Sequence, residues 1–375
     1  MKRRFSRGVA SFYTLVMIAL YTILGNLPRP LAVWDEQIYY DAAQNVLAGY
    51  WLLPRFTLTS HPLGSRTPFL HKPPLTYWIQ AGSMAIGGET PTVARWPSVL
   101  ATALAIGIAV LLAWRLSGAA AGCTVGAVAI PMNALHGTHA AFHVATDPFL
   151  LLFGTSAVYA LVVAIDCGHT RWWLLAGVGY GLAIMSKGVA AAPFGLFVLP
   201  YLWRHRSRWA WRHFGAMVAS GFAVVLPWLV SVALLAPSEL YTQMFERQVV
   251  EHATDARFND GDATFAWMGA RFFQRGPAYF APTGYFLPLA VLVTVAEYAD
   301  SRRLTDLAML CWPLAIGTFG LYVLVGNHLW YLLPVAVPVA VLVGGTIART
   351  AMALTEAVVT LLALRSTKNR YEQRP

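Results

Sequence analysis

Long apolar stretches separated by short polar connections run through almost the whole chain. A helix needs about 17 to 25 mostly apolar residues to cross about 30 Å of hydrocarbon. Windows of this kind fall near residues 9–28, 93–114, 119–140, 146–165, 172–187, 189–203, 214–235, 278–298, 307–326 and 331–348. The pattern predicts an all-α polytopic membrane protein with about ten transmembrane helices. The fifth and sixth windows are short and separated only by Lys187-Gly188, which predicts a tilted hairpin or a re-entrant pair. A last apolar run, Ala351 to Leu364, is too short to cross comfortably and is expected to continue the preceding helix or to lie in the interface.

Two connections are long enough to carry structure of their own. Arg29 to Thr92 contains two helix-like stretches, Gln37 to Ala48 ending at Gly49, and Pro74 to Ile86 ending at Gly87-Gly88. In the second, Leu75, Trp78, Ile79 and Ala81 to Met84 form an apolar face suited to a juxtamembrane helix lying along the bilayer surface. The other long connection, Ala236 to Gly276, carries Glu246-Arg247, Glu251-His252, Asp255, Arg257-Phe258 and Arg275. It is polar enough for a lid or an acceptor platform.

Composition agrees with the pattern: 57% hydrophobic residues with 12% charged cannot be wrapped as one soluble globule. The net charge of +10 is unevenly placed. The amino terminus, Arg115, Arg171, the Arg204 to Arg212 cluster, Arg302-Arg303 and the tail from Arg349 fall on one side with 17 basic and 6 acidic residues, against 10 and 11 on the other. The basic side is expected to be cytoplasmic, with both termini there and the long connections on the opposite, non-cytoplasmic side. Charge dispersed in short loops beside spans does not make a nucleic-acid surface. The first apolar run follows a basic cluster and lacks a small-residue cleavage site, so it reads as a signal anchor. Cys123, Cys167 and Cys311 show no paired spacing and read as small apolar fillers.

The candidate chemistry clusters in the first long connection. Asp35 and Glu36 are consecutive, so on a helix start they point about 100° apart and one faces any given substrate atom. Capping the helix near Gln37 would account for one of them. The pair is flanked by Trp34, Tyr39 and Tyr40. Lys72 precedes two prolines, which fix the backbone beside it, and suits either a lipid phosphate or ordinary snorkelling to headgroups. Asp147 stands at a helix start before Pro148, where capping is one explanation. Lys187 lies between two apolar runs, where an unpaired cation is costly, and this predicts an ion pair or a function. His136, His139 and His143 repeat at three and four residues; they read as interfacial histidines facing water more readily than as a metal site.

Seven motifs in order carry a family resemblance: Trp34-Asp35-Glu36-x-x-Tyr39, Lys72-Pro73-Pro74-Leu75-x-x-Trp78, Ala94-Arg95-Trp96-Pro97-Ser98, Thr146-Asp147-Pro148, Ser186-Lys187-Gly188, Arg257-Phe258 and Trp330-Tyr331-Leu332-Leu333-Pro334. The set resembles the polyprenyl-phosphate sugar-dependent glycosyltransferases of the protein mannosyltransferase and aminoarabinose transferase superfamily, over residues 8 to 340 or so. The resemblance implies the glycosyltransferase C membrane fold with a periplasmic active site. It also implies inverting transfer of a sugar from a polyprenyl-phosphate donor to an acceptor hydroxyl. Asp35 would be general base. Lys72 and Arg257 would neutralise the leaving phosphate, with a hydrogen bond from Tyr331. Glu36, the second carboxylate of the catalytic pair, and Tyr39, His71, Asp147 and Lys187 would shape the donor cavity or hold those residues in place.

Two departures bear on the phosphate site. Relatives commonly have an acidic residue where this chain has His71, and a Lys where it has Asn327, for which His328 is the substitute at hand. Most relatives are also longer at the carboxyl end. The expected organisation is a transmembrane glycosyltransferase unit over 1–348, with outer loops 29–92 and 236–276, and a cytoplasmic basic tail over 349–375. No cofactor is required by the chemistry as drawn, and metal dependence is left open. The partners are the lipid-linked donor, the bilayer, and a glycan, lipid or protein acceptor. The alternatives are a transporter or flippase of lipid-linked sugars, for which paired ionisable groups near the midplane are expected, and a shortened noncatalytic assembly subunit.

Overall fold

A computed structural model describes residues 29–32, 34–59, 64–137, 139–251, 274–276, 278–325 and 329–372, together with Thr14, Met17, Ile18, Leu20 and Tyr21. The first long connection folds into helices α1 (Asp35–Leu47) and α2 (Leu75–Gly87). α1 opens on two carboxylates, which suit the unpaired amides of a helix start. α2 buries Thr76, Tyr77, Gln80, Ala81 and Met84. Leu75, Trp78 and Ile79 are only half-buried, whereas Ala81 and Met84, expected on the same face, are buried, so the fold covers part of the face expected to lie on the bilayer. α2 packs on α1 and on the next helix, where the Ser83 hydroxyl donates to the Val93 carbonyl at 2.8 Å. Gln80 donates to the Ala145 carbonyl at 3.4 Å.

The bundle proper follows: α3 (Pro91–Ser117), α4 (Ala119–Ala129), α5 (Asp147–Cys167), α6 (Thr170–Lys187), α7 (Ala192–Leu196), α8 (Leu199–Arg204) and α9 (Trp211–Leu235). A π-helix over Tyr241–Glu251 leads to α10 (Leu287–Ser301), α11 (Asp306–Val325) and α12 (Ala336–Glu372). Among the described residues five helical stretches are long and apolar enough to cross a membrane: Pro91–Ser117, Asp147–Cys167, Thr170–Arg204, Trp211–Leu235 and Tyr331–Arg365. The first expected window lies mostly outside the described residues, but Met17 and Tyr21 are buried in the core.

Charged pairs mark the two ends of the bundle. Arg115–Asp166 at 2.7 Å, Arg204–Asp306 at 3.1 Å and Arg349–Glu297 at 3.3 Å tie one end. Glu36–Arg95 and Asp147–Lys187 tie the other. Successive helices therefore run alternately up and down between a basic end and the end that holds Asp35.

Several windows depart from continuous helix. The third stops at Ala129, ahead of Pro131, and residues 130–137 and 139–146 form turns and a short 3-10 segment, because proline lacks the amide a helix interior needs. The stretch from Thr170 to Arg204 doubles back at Gly188, whose φ of +60° suits glycine, and returns as α7 and α8, each with a proline in its first turn. Its ends close by the Trp209 indole donating to the Leu202 carbonyl at 3.1 Å and by Trp209 packing on Trp173. The hairpin expected there is thus present. α12 passes straight through residue 348, where the tail was expected to begin, and Ala351 to Leu364 continues it as an exposed apolar helix.

Candidate active site

Asp35 and Glu36 diverge at the start of α1. Glu36 turns inward and meets Arg95 of α3, with the two side chains 3% and 1% exposed. Arg95 donates from Nε to Oε1 at 2.8 Å and from Nη2 to Oε2 at 3.0 Å. The amides of Ala32 and Val144 donate to the same carboxylate at 2.6 and 2.9 Å. Burial opposes the charge of Glu36, but the guanidinium and the two amides outweigh it and hold the carboxyl below its ordinary range. Arg95 also donates to the carbonyls of Arg29 and Pro30. Glu36 is therefore an anchor joining three segments and is not presented beside Asp35 as a second reacting carboxylate.

Asp35 remains at the surface of the site, its side chain 38% exposed. No side chain caps α1, and Trp34 occupies the cap position, so capping does not explain Asp35. The Tyr39 hydroxyl donates to Oδ2 at 3.2 Å, and Nδ1 of His139 lies 3.6 Å from the same oxygen. Burial first, then the charge of Asp35, pushes the Tyr39 phenol well above its ordinary value, so it stays a donor. Tyr77 of α2 lies against Tyr39 with centroids 5.9 Å apart.

Asp147, at the start of α5, takes Lys187 rather than a backbone amide: Nζ to Oδ1 is 2.5 Å, with the side chains 5% and 1% exposed. This is the partner an apolar setting demands of Lys187. The Lys187 ammonium also sits 5.2 Å over the ring of Tyr331. Lys72 lies in the field of Lys187, Asp35 and Asp147. Burial first, then Lys187, brings its ammonium down to about 8, while the two carboxylates pull the other way. Pro73, next in the chain, packs on the Gly188 turn. His71 stacks on Phe69 at 5.0 Å and faces Arg247 of the π-helix, Nη1 to Nε2 3.3 Å.

A cavity of about 810 Å³ opens beside this group. His71, Pro73 and Lys187 stand at its head, and its walls are apolar, from α6, α9 and the π-helix, with Trp228 and Phe245 among them. A second apolar cavity of about 400 Å³ lies between the legs of the 170–204 hairpin and shares Tyr180, Ile184 and Val225 with the first.

Arg257 and His328 lie outside the described residues, as does His252. The three histidines after α4 do not face water together. His136 stacks on Tyr21 at 5.3 Å, His139 is 8% exposed and turned to Asp35, and His143, beside Glu36, is pushed down to about 4, chiefly by burial. The helical spacing fails because the segment is not a helix. Among the described residues no group of three His, Cys, Asp or Glu side chains is placed to hold a metal ion. Sequence reasoning gave no role to Arg95, although a charged residue four positions into an apolar helix is itself a signal. It also passed over Gln243, which accepts from the Leu70 amide and donates to the Pro68 carbonyl, both at 2.9 Å. Nothing in its local pattern marks that residue.

The fold and this cluster define a polytopic membrane protein with the glycosyltransferase C architecture. It superimposes on ArnT from Cupriavidus metallidurans bound to undecaprenyl phosphate with a TM-score of 0.70, at 19% identity over 96% of this chain and 64% of that one. An oligosaccharyltransferase from Archaeoglobus fulgidus gives 0.58 at 14% identity, over 94% of this chain and 51% of that one. Residues 71–230 match the family model of dolichyl-phosphate-mannose-protein mannosyltransferase. An undecaprenyl phosphate-α-4-amino-4-deoxy-L-arabinose arabinosyl transferase of Pseudomonas fluorescens (strain Pf0-1) is 28% identical over 96% of this chain. Its counterpart in Pseudomonas aeruginosa (strain UCBPP-PA14) is 31% identical over 58% of this chain and 39% of its own length. The chain spans 64% of the length of the Pseudomonas fluorescens relative. The chain is thus similar in sequence and fold to the polyprenyl-phosphate sugar-dependent glycosyltransferases of the protein mannosyltransferase and aminoarabinose transferase superfamily.

Proposed function

We propose that this protein transfers a sugar from a polyprenyl-phosphate donor to an acceptor hydroxyl with inversion at the anomeric carbon. The observation that carries this reading is the apolar cavity of about 810 Å³ with Lys187 and His71 at its head, Lys72 in the field of Lys187, and the carboxylate of Asp35 acting on Lys72 in turn. The cavity suits a prenyl chain, and the head suits its phosphate. Asp35 takes the proton from the acceptor hydroxyl as that oxygen attacks. The phosphate leaves from the opposite side of the sugar, and Lys72 meets the charge that develops on it. Lys187 is committed to Asp147 and sets the shape and potential of the head of the cavity. Arg257 and His328 remain candidates for the same phosphate. Lysine charge suffices for this chemistry without a metal. The names of the Pseudomonas relatives point to undecaprenyl phosphate and an amino-pentose as the first donor to test.

A transporter would want paired ionisable groups at mid-depth. The described charged groups gather instead at the two ends of the bundle, which favours the enzyme. The test is transfer of radiolabel from pentosyl- and hexosyl-phosphoryl polyprenols to membrane acceptors by purified protein in proteoliposomes. Wild type should transfer label; Asp35→Asn should bind donor normally and transfer at least about a thousandfold more slowly, the scale on which essential acid–base groups act. Equal transfer by both proteins removes Asp35 as base, and donor export without transfer by wild type replaces the enzyme with a transporter.

A further inference from the structure

Three non-glycine residues among those described have left-handed backbone, and two of them flank one carboxylate. Trp34, with φ of 77°, immediately precedes Asp35, and His139, with φ of 64°, packs against it. The third, Arg302, ends α10 at the opposite end of the bundle, where positive φ is ordinary helix termination. Left-handed backbone is uncommon for tryptophan and histidine and persists where surrounding structure imposes it. The turns of 130–146 impose it here: the chain leaves α4 early, and the His139 side chain is carried under Asp35 with 8% of the residue exposed.

Among the described residues, both polar contacts of the Asp35 side chain converge on one oxygen. The Tyr39 hydroxyl and His139 Nδ1 both approach Oδ2, which leaves Oδ1 for an incoming hydroxyl. We propose that His139 is the positioning residue for Asp35: its imidazole donates from Nδ1 to Oδ2 and, with Tyr39, holds the carboxylate with Oδ1 toward the acceptor. This rests on the reading of Asp35 as base. The separation of 3.6 Å closes to hydrogen-bond length in the substrate complex, as such contacts do when an active site fills. The groups that act on His139 are Asp147, Asp35, Lys187 and Lys72, with His143 beside it. Burial outweighs the two carboxylates and leaves the imidazole neutral at pH 7, so it donates without adding a full charge to the site.

Two substitutions separate the side chain from the backbone. His139→Gly accepts the left-handed conformation and removes the donor. His139→Asn also tolerates that conformation and returns an amide N–H near the place of Nδ1. With a polyprenyl-phosphate sugar, His139→Gly should lower kcat about tenfold to a hundredfold, the scale of a mispositioned catalytic group. The donor KM should stay within about twofold. His139→Asn should recover most of the rate. A His139→Gly enzyme with wild-type kcat, or Gly and Asn variants equally impaired, overturns the proposal. If wild type is active, Asp35→Asn is dead and His139→Gly is unimpaired, only this inference falls. If wild type transfers nothing, or Asp35→Asn transfers as well as wild type, the base assignment falls with it.

Discussion

Lys72 titrates where a cell's pH can reach it. In the empty site burial and Lys187 bring its ammonium down to about 8, and a bound phosphate would raise it again. Below pH 8 the residue is charged both free and bound, so donor affinity is flat. Above it, binding must take up a proton, and affinity falls with rising pH by up to about tenfold per unit until the bound-state value is passed. Titration of a polyprenyl-phosphate sugar, whose phosphodiester keeps one charge throughout, between about pH 6.5 and 9.5 checks this, and Lys72→Arg, which stays charged throughout, should flatten the curve. A wild-type affinity that does not change takes Lys72 out of the phosphate site. The two neighbouring carboxylates should separate just as cleanly. Glu36→Ala strands a buried guanidinium and should lower stability by about 3–5 kcal/mol in thermal unfolding in detergent, whereas Asp35→Asn, at a partly exposed position, should leave the melt nearly unchanged.

Between elements, the π-helix is tied to the Lys72 segment by Gln243 as well as by the contact of Arg247 with His71. Gln243 is 7% exposed, and its amide group bonds the Leu70 N–H and the Pro68 C=O. Gln243→Ala leaves the buried Leu70 N–H and the part-buried Pro68 C=O without that partner, at about 1–3 kcal/mol for the buried one. The expected result is faster hydrogen exchange over residues 68–72 and weaker donor binding, with α3 and α5 as protected as before; unchanged exchange there removes the strap. Such contacts explain what could and could not be read beforehand. Helix pattern, the hairpin at Lys187-Gly188 and the need of Lys187 for a partner were legible, because each follows from local periodicity or from the cost of a charge among apolar residues. That Glu36 turns to Arg95 and His139 to Asp35 was not, because both depend on how 130–146 crosses the bundle once Pro131 has ended α4. Gln243 meets Leu70 across 173 positions, a pairing no local pattern encodes.

Over the whole molecule the two ends differ in kind: arginine-rich ion pairs at one, the Asp35 and Lys187 cluster at the other. Positive residues are retained on the cytoplasmic side, so the basic end should be cytoplasmic and the cluster should face the opposite compartment, where an outward-facing transferase needs it. A native thiol makes this measurable. Cys167 is exposed beside Asp166 at the basic end, and Thr59 is exposed in the connection between α1 and α2. With a membrane-impermeant maleimide on intact cells, a Thr59→Cys protein should be labelled at position 59 and not at Cys167, as read from the labelled peptides. Permeabilising the cells should expose Cys167. The reverse pattern inverts the protein and places Asp35 in the cytoplasm. That would require donor and acceptor on the inner leaflet, and the proposed transfer would have to be recast there.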